Sequence, residues 1–325
     1  MQKRPRIYVT REIPAAGMQL LHEHCEVLLW RDSLPVPRET LLAAVTNVEG
    51  LLTLLSDPID ATLIAAAPQL RVISQYAVGY DNIDIAAATA RGIPVGNTPD
   101  VLTVATADFA FALLMAAARR IPEGDANVRQ GEWRTWGPQT LLGQDVWGAT
   151  LGVVGLGRIG QAMVRRGRGF AMRVLFSDPR CKAEGEALGA ECVSLDTLLA
   201  EADFVSLHCP LTPETRGLIG ERELRMMKPT AILINTARGA VVQQEALLRA
   251  LHEGWIAGAA LDVTDPEPLT SEHPLVGLPN CLITPHIASA SVAARTQMAI
   301  VAAENLLAGL RGERLPHCVN PQVYR

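Results

Sequence analysis

Short apolar runs alternate along the chain with stretches in which apolar residues recur at helical spacing. The first series of runs is Ile7–Thr10, Val27–Trp30, Leu51–Leu55, Val72–Ser74 and Ile93–Val95. A second begins at Leu151 and continues through Val174, Phe204–Leu207, Ala231–Asn235, Ala257–Leu261 and Leu282–Thr284. Runs with little polar alternation predict strands buried on both faces, and the helical stretches between them predict crossovers, so both sheets should be parallel. The expected class is α/β, with two doubly wound parallel-sheet domains. The hundred or so residues before the second series need their own core, and an apolar helix predicted over Val292–Leu310 must pack somewhere. We expect the tail to return to the first domain, so that 1–100 and 287–325 form one domain and 101–286 the other. A helix over Ala105–Ala118 and the segment His286–Ala290 then form the two crossings, with a ligand cleft expected between the domains.

The second series opens on Gly155-Leu156-Gly157-Arg158-Ile159-Gly160, set between the run Leu151–Val154 and an amphipathic segment, Gln161–Arg168. Strand, tight turn and helix suit a dinucleotide pyrophosphate. Gly155 permits the turn, Gly157 lets the backbone approach the phosphates, and Gly160 lets helix and strand pack closely, while the helix N-terminus faces the negative charge. The next strand, Arg173–Ser177, ends at Asp178, 18 residues after Gly160, where an acid binds a ribose diol. A carboxylate there repels a 2′-phosphate, so NAD(H) is the preferred cofactor, while Arg180 and Lys182 leave NADP(H) open.

Composition narrows the classes further. With 325 residues, 49% of them hydrophobic, the chain can bury two cores without staples. A net charge of −5 and a pI near 5.8 argue against a nucleic-acid surface, and Arg165-Arg166-Gly167-Arg168 reads as a solvated helix face. The six cysteines, Cys25, Cys181, Cys192, Cys209, Cys281 and Cys318, form no C-x-x-C pair and read as reduced thiols of a cytoplasmic protein. After Lys3-Arg4 no signal-peptide pattern follows, and Phe109–Ala118 is too short to span a bilayer, so no membrane partner is expected.

Three polar residues follow apolar strands of the second series: Arg238 after Ile232–Asn235, Glu267 after Leu261–Val263, and His286 after Leu282–Pro285. All three should reach the carboxyl edge of the sheet, where ligands of such folds bind. Singly they could be a helix cap, a solvated loop acid between Pro266 and Pro268, and a turn histidine. Together behind a dinucleotide turn they describe keto-acid reduction. Arginine grips a carboxylate with two parallel hydrogen bonds, histidine donates a proton, and an adjacent acid favours the charged imidazole.

These residues stand in a series of motifs: Tyr76-Ala77-Val78-Gly79-Tyr80-Asp81-Asn82-Ile83-Asp84, Ala105-Thr106-Ala107-Asp108, the glycine turn, Asn235-Thr236-Ala237-Arg238-Gly239, Leu261-Asp262-Val263-Thr264-Asp265-Pro266-Glu267-Pro268 and Thr284-Pro285-His286-Ile287. Over essentially its whole length the chain resembles the D-2-hydroxyacid dehydrogenases, and within them the glyoxylate/hydroxypyruvate reductases. The resemblance implies a Rossmann cofactor domain inserted into a flavodoxin-like substrate domain. It implies reduction of glyoxylate or hydroxypyruvate to glycolate or D-glycerate, in which Arg238 binds and polarises the oxo acid, His286 donates the proton and Glu267 orients His286. It further places the Val78 and Gly79 amides and Leu55 at the substrate. Thr106, Gly155, Leu156, Gly157, Arg158, Ile159, Gly160, Asp178, Cys209, Pro210, Thr215, Thr236, Ala237, Asp262 and His286 fall at the cofactor, with Asp262 on the nicotinamide carboxamide. His208-Cys209-Pro210 resembles the adenine-side wall, so no metal is expected. Trp136 resembles a loop tryptophan that reaches into the partner subunit's active site, and a homodimer is implied. Phosphonate dehydrogenase shares Trp136 and the trio but has a lysine at the position of Val78. An NAD-sensing corepressor-like binding protein also keeps the trio and is the alternative from another class.

Overall fold

The computed structural model describes residues 4–180 and 182–325. Cys181 and the side chain of Lys182 lie outside the described residues, and with them the expectations attached to that thiol and that charge. The chain divides into two units, Met1–Leu102 with Ala290–Arg325, and Thr103–Ser289.

In the first unit the strands are β1 (Arg6–Val9), β2 (Glu26–Leu29), β3 (Gly50–Thr53), β4 (Val72–Gln75) and β5 (Val95–Gly96). They pair in the order β2-β1-β3-β4-β5, parallel throughout, which is the flavodoxin-like order. Strand β3 stops at Thr53, two residues short of the apolar run. The buried Asp57 carboxylate accepts from the Leu54 N–H at 2.8 Å and from the Thr10 and Thr53 hydroxyls, which folds Leu54–Asp57 into a turn. The C-terminal helix, Val292–Arg311, is capped by Ser291, whose side chain accepts from the Ala294 N–H, and its apolar face is buried in this unit. From it Ala302 O accepts the buried Ser74 hydroxyl of β4 at 2.7 Å.

The second unit holds β6 (Thr150–Val154), β7 (Arg173–Ser177), β8 (Glu191–Cys192), β9 (Phe204–Leu207), β10 (Ile232–Asn235), β11 (Gly258–Leu261) and β12 (Cys281–Ile283). Their order is β12-β11-β10-β9-β6-β7-β8, again parallel and Rossmann-like, with the reversal of strand order at β6. Alternate residues feed cores on opposite faces: Val174, Phe176, Ile232 and Ile234 on one, Leu175 and Leu233 on the other. Each such large side chain contributes about 1.5–3 kcal/mol by leaving water. Strand β8 has no counterpart in the hydrophobic pattern, because two residues at a sheet edge bury too little to leave one. The arginine cluster is only partly a solvated face. Arg166 donates to Asp108 Oδ1 through Nε at 2.9 Å and to Val104 O at 3.2 Å, and so ties the helix Arg158–Gly169 to the helix Thr103–Ala118. Among the described residues no helix is long and apolar enough to cross a membrane, and the five described cysteines are free.

Candidate active site

Parallel pairing in the second unit brings the strand ends into one row. Ser177 pairs with Val154, Val154 with Leu207, Leu207 with Asn235, Asn235 with Leu261 and Leu261 with Ile283. The residues that follow, Asp178, Gly155, His208, Thr236, Asp262 and Thr284, therefore line a single edge. This is the carboxyl edge, where open α/β sheets bind their ligands.

Gly155 sits at φ +88, and a Cβ there would lie 2.6 Å from the Cys209 backbone nitrogen. Only glycine fits this turn. A Cβ on Gly160 would run into Gly155 O, whereas one on Gly157 would meet nothing within 4 Å. Two of the glycines are thus required by packing. The third leaves its space on the outer side of the turn, at the start of the helix Arg158–Gly169, whose Gly157 N-cap provides no side-chain bond. An exposed backbone at a helix N-terminus fits a dinucleotide phosphate. Leu156 is buried, Arg158 is exposed, and Ile159 lies between.

Asp178 does more than the sequence implied. Its Oδ2 accepts from the Leu156 N–H at 2.7 Å and its Oδ1 from the Arg180 N–H at 2.8 Å, so it braces the glycine turn. Beyond β9, Thr215 closes its own loop, donating to Pro210 O at 2.6 Å and accepting from the Thr212 N–H at 2.8 Å. Burial pushes the Cys209 thiol up to about 11 and the His208 imidazole down to about 4, and His208 Nε2 lies 2.8 Å from the Ser206 hydroxyl. Among the described residues no group of three or more His, Cys, Asp or Glu could hold a metal. Thr106 is buried on the helix Thr103–Ala118, and the buried Thr236 hydroxyl has no partner among the described residues.

The structure brings Glu267 and His286 into contact, with Oε1 2.6 Å from Nδ1. His286 itself stands at φ +53, a backbone region costly for a residue with a Cβ. The buried carboxylate of Asp262 holds it there. Oδ1 accepts from the Thr284 hydroxyl at 2.6 Å and the Ile287 N–H at 2.9 Å, and Oδ2 from the Ala288 N–H at 2.7 Å. The His286 N–H donates to Asp262 O at 2.9 Å. Asn235 plays the matching part for arginine. Its side chain accepts from the Ala237 N–H at 3.0 Å and donates to Arg238 O at 2.9 Å. Gly239 backs directly onto the Thr264 backbone, with no room for a Cβ, and this seats the Arg238 turn against the segment leading to Glu267. Sequence reasoning missed the bracing by Asn235 and Thr284, although both stand inside motifs that it singled out.

In the first unit Leu55 is half-buried in the turn after β3, and Val78 and Gly79 are half-buried in the loop after β4. Trp136 of the second unit is 80% exposed on its own chain.

An open dinucleotide turn with a His–Glu pair on the same sheet edge defines a nicotinamide-dependent oxidoreductase. Residues 111–288 match the D-isomer specific 2-hydroxyacid dehydrogenase NAD binding domain. The chain is 55% identical over 324 residues to the glyoxylate reductase of Korarchaeum cryptofilum, covering 99% of this chain and 98% of that one. The crystal structure of the TT0316 protein of Thermus thermophilus superposes with a TM-score of 0.92 at 50% identity, covering 97% of this chain and 99% of that one. A NADPH-dependent glyoxylate/hydroxypyruvate reductase of Sinorhizobium meliloti, in complex with NADP and malonate, does so at 0.86 and 34%, covering 99% of each chain. The chain belongs to the D-isomer specific 2-hydroxyacid dehydrogenases. It is an enzyme that reduces 2-oxo acids with a nicotinamide dinucleotide.

Proposed function

We propose that the substrate is glyoxylate, hydroxypyruvate or both, reduced to glycolate and D-glycerate, with NADH preferred over NADPH. The observation that carries the chemistry is the 2.6 Å contact between His286 Nδ1 and Glu267. With Nδ1 committed to a carboxylate, Nε2 is the ring atom from which His286 delivers a proton to the substrate carbonyl oxygen. Glu267 holds the ring by this contact. Arg238 polarises the carbonyl and grips the acid, as a guanidinium fork does. The Val78 and Gly79 amides take the substrate carboxylate. The bound reduced nicotinamide supplies the hydride. The glycine turn holds its pyrophosphate, Asp178 the adenosine ribose, and Asp262 Oδ2, which among the described residues accepts only from the Ala288 N–H, has an acceptor site left for the carboxamide. The glyoxylate reductases among the relatives support the choice of substrate, and the carboxylate at Asp178 supports NADH through its repulsion of a 2′-phosphate. Exposed Trp136 supports a homodimer, and the free cysteines fit a reducing cytoplasm.

Loss of reduced-nicotinamide absorbance, followed with glyoxylate, hydroxypyruvate, pyruvate and a bulky 2-oxo acid, tests this. Turnover concentrated in the first two, mainly with NADH, is expected. Preference for the bulky acid would overturn the substrate assignment. Asp178→Ser is expected to narrow the gap between NADH and NADPH, and an unchanged ratio of kcat/KM values would remove Asp178 from cofactor choice.

A further inference from the structure

The loop after β4 is held from behind by a polar network that neither the motifs nor the trio explains. Three successive carbonyls are tied: Ala77 O accepts from the Thr98 N–H at 2.9 Å, Val78 O from Asn97 Nδ2 at 2.9 Å, and Gly79 O from Gln75 Nε2 at 3.2 Å. All three partners are buried residues. These peptides are trans, and in a planar trans peptide the N–H points opposite to the carbonyl. Carbonyls turned inward to buried donors therefore turn the N–H groups of Val78, Gly79 and Tyr80 outward. Among the described residues none of these three N–H groups donates a hydrogen bond. Val78 and Gly79 are half-buried and Tyr80 is exposed, so the outward side is open.

We propose that Gln75 and Asn97 are positioning residues for substrate binding, which aim three consecutive amides, Tyr80 included, at the carboxylate of the 2-oxo acid. The inference rests on the functional reading above and deepens it. Gln75 is built for this rather than for stability. Its Nε2 donates to Gly79 O and to Asn82 Oδ1 at 2.8 Å, which fixes the orientation of the amide, yet its own Oε1 is buried with no partner among the described residues. An apolar residue would spare the fold that unpaired carbonyl. Asn82 carries the bracing onward, donating to Leu54 O at 3.0 Å and Asp57 O at 2.8 Å, so the loop bearing Leu55 is tied to the amide loop. Asn97 is fixed in turn by the C-terminal helix, through Asn305 Nδ2 on Asn97 O at 2.8 Å.

The test compares glyoxylate with its neutral methyl ester in wild type, Gln75→Leu and Asn97→Ala, together with NADH affinity by fluorescence. If the amides serve the carboxylate, the ratio of kcat/KM for acid over ester falls about tenfold in each variant, the equivalent of one lost well-oriented hydrogen bond to a charge, while NADH affinity holds. A merely structural role lowers acid and ester together, and a ratio unchanged in both variants overturns the proposal. A wild type that turns over no 2-oxo acid overturns the functional reading, and the inference with it.

Discussion

Asp262 is 1% exposed and accepts three hydrogen bonds across the turn that carries His286, two on Oδ1 and one on Oδ2, where an asparagine in either orientation would turn its NH2 toward a backbone N–H donor. Asp262→Asn is therefore expected to lower unfolding free energy in urea by about 1–3 kcal/mol, and to lower kcat as well, since His286 loses the frame that keeps it at φ +53. Stability unchanged within error would show that the bracing is idle. Glu267→Gln keeps the shape and removes the charge. Expected is a drop in kcat of about 100-fold with NADH affinity intact, and a rate near wild type would exclude Glu267 from proton transfer. His208 lies on the same edge. Unfolded, it takes up a proton near pH 6.5, but folded only at about 4, so the unfolded state binds more protons in between. Stability accordingly falls as pH drops from 6.5 toward 4, by at most about 3 kcal/mol, and by less to the extent that this half-buried ring keeps contact with water. Urea midpoints at pH 7 and pH 5 should converge in His208→Asn relative to wild type.

Among the elements, the strand-turn-helix of the glycine motif separates packing from binding. Gly157 has an ordinary φ of −64 and open space where a Cβ would stand. Gly157→Ala is expected to fold with an unchanged melting temperature and, if the turn holds the pyrophosphate as proposed, to bind NADH about tenfold or more weakly, because the added methyl group would take up that space. Gly155→Ala must strain both its φ and the Cys209 backbone, and a loss of about 2 kcal/mol or more of stability is expected. Equal effects of the two on calorimetric stability and on NADH titration would refute this division. The turns that carry the trio depend on strand register in the same way. Asn235 and Leu261 are paired, so the Arg238 turn and the segment leading to Glu267 start side by side, and Gly239 lets them touch.

At the level of the whole molecule, the exposed apolar residues Val104, Ile121, Val128, Trp133, Trp136, Leu142 and Trp147 are concentrated in one stretch of the second unit, more than a lone surface needs. A homodimer through this stretch is expected by light scattering, and Trp133→Ser with Trp136→Ser should shift the population toward monomer, a dimer unaffected by the pair placing the contact elsewhere. The alternation of apolar runs was enough to read both sheets as parallel, because strands buried on both faces carry long apolar runs that nothing else in such a chain requires. The glycine turn, Asp178 and the trio stood out for a related reason: each combines a particular residue type with a place beyond a strand end, and the structure puts them along that edge of the sheet. Other features left no trace. The edge strand β8 buries too little to be seen, and the ending of β3 at Thr53 depends on Asp57, whose partner Thr10 is far off in sequence. The bracing of Gln75 by Asn82 and of Asn97 by Asn305 likewise pairs side chains that in sequence look like ordinary turn or helix polar residues. Local pattern and residue chemistry are properties of the chain itself, and they determined the fold class and the chemistry to look for. Which polar side chain meets which backbone group, and so where each N–H and each histidine nitrogen points, depends on elements far apart in sequence, and only the packed tertiary structure decided it.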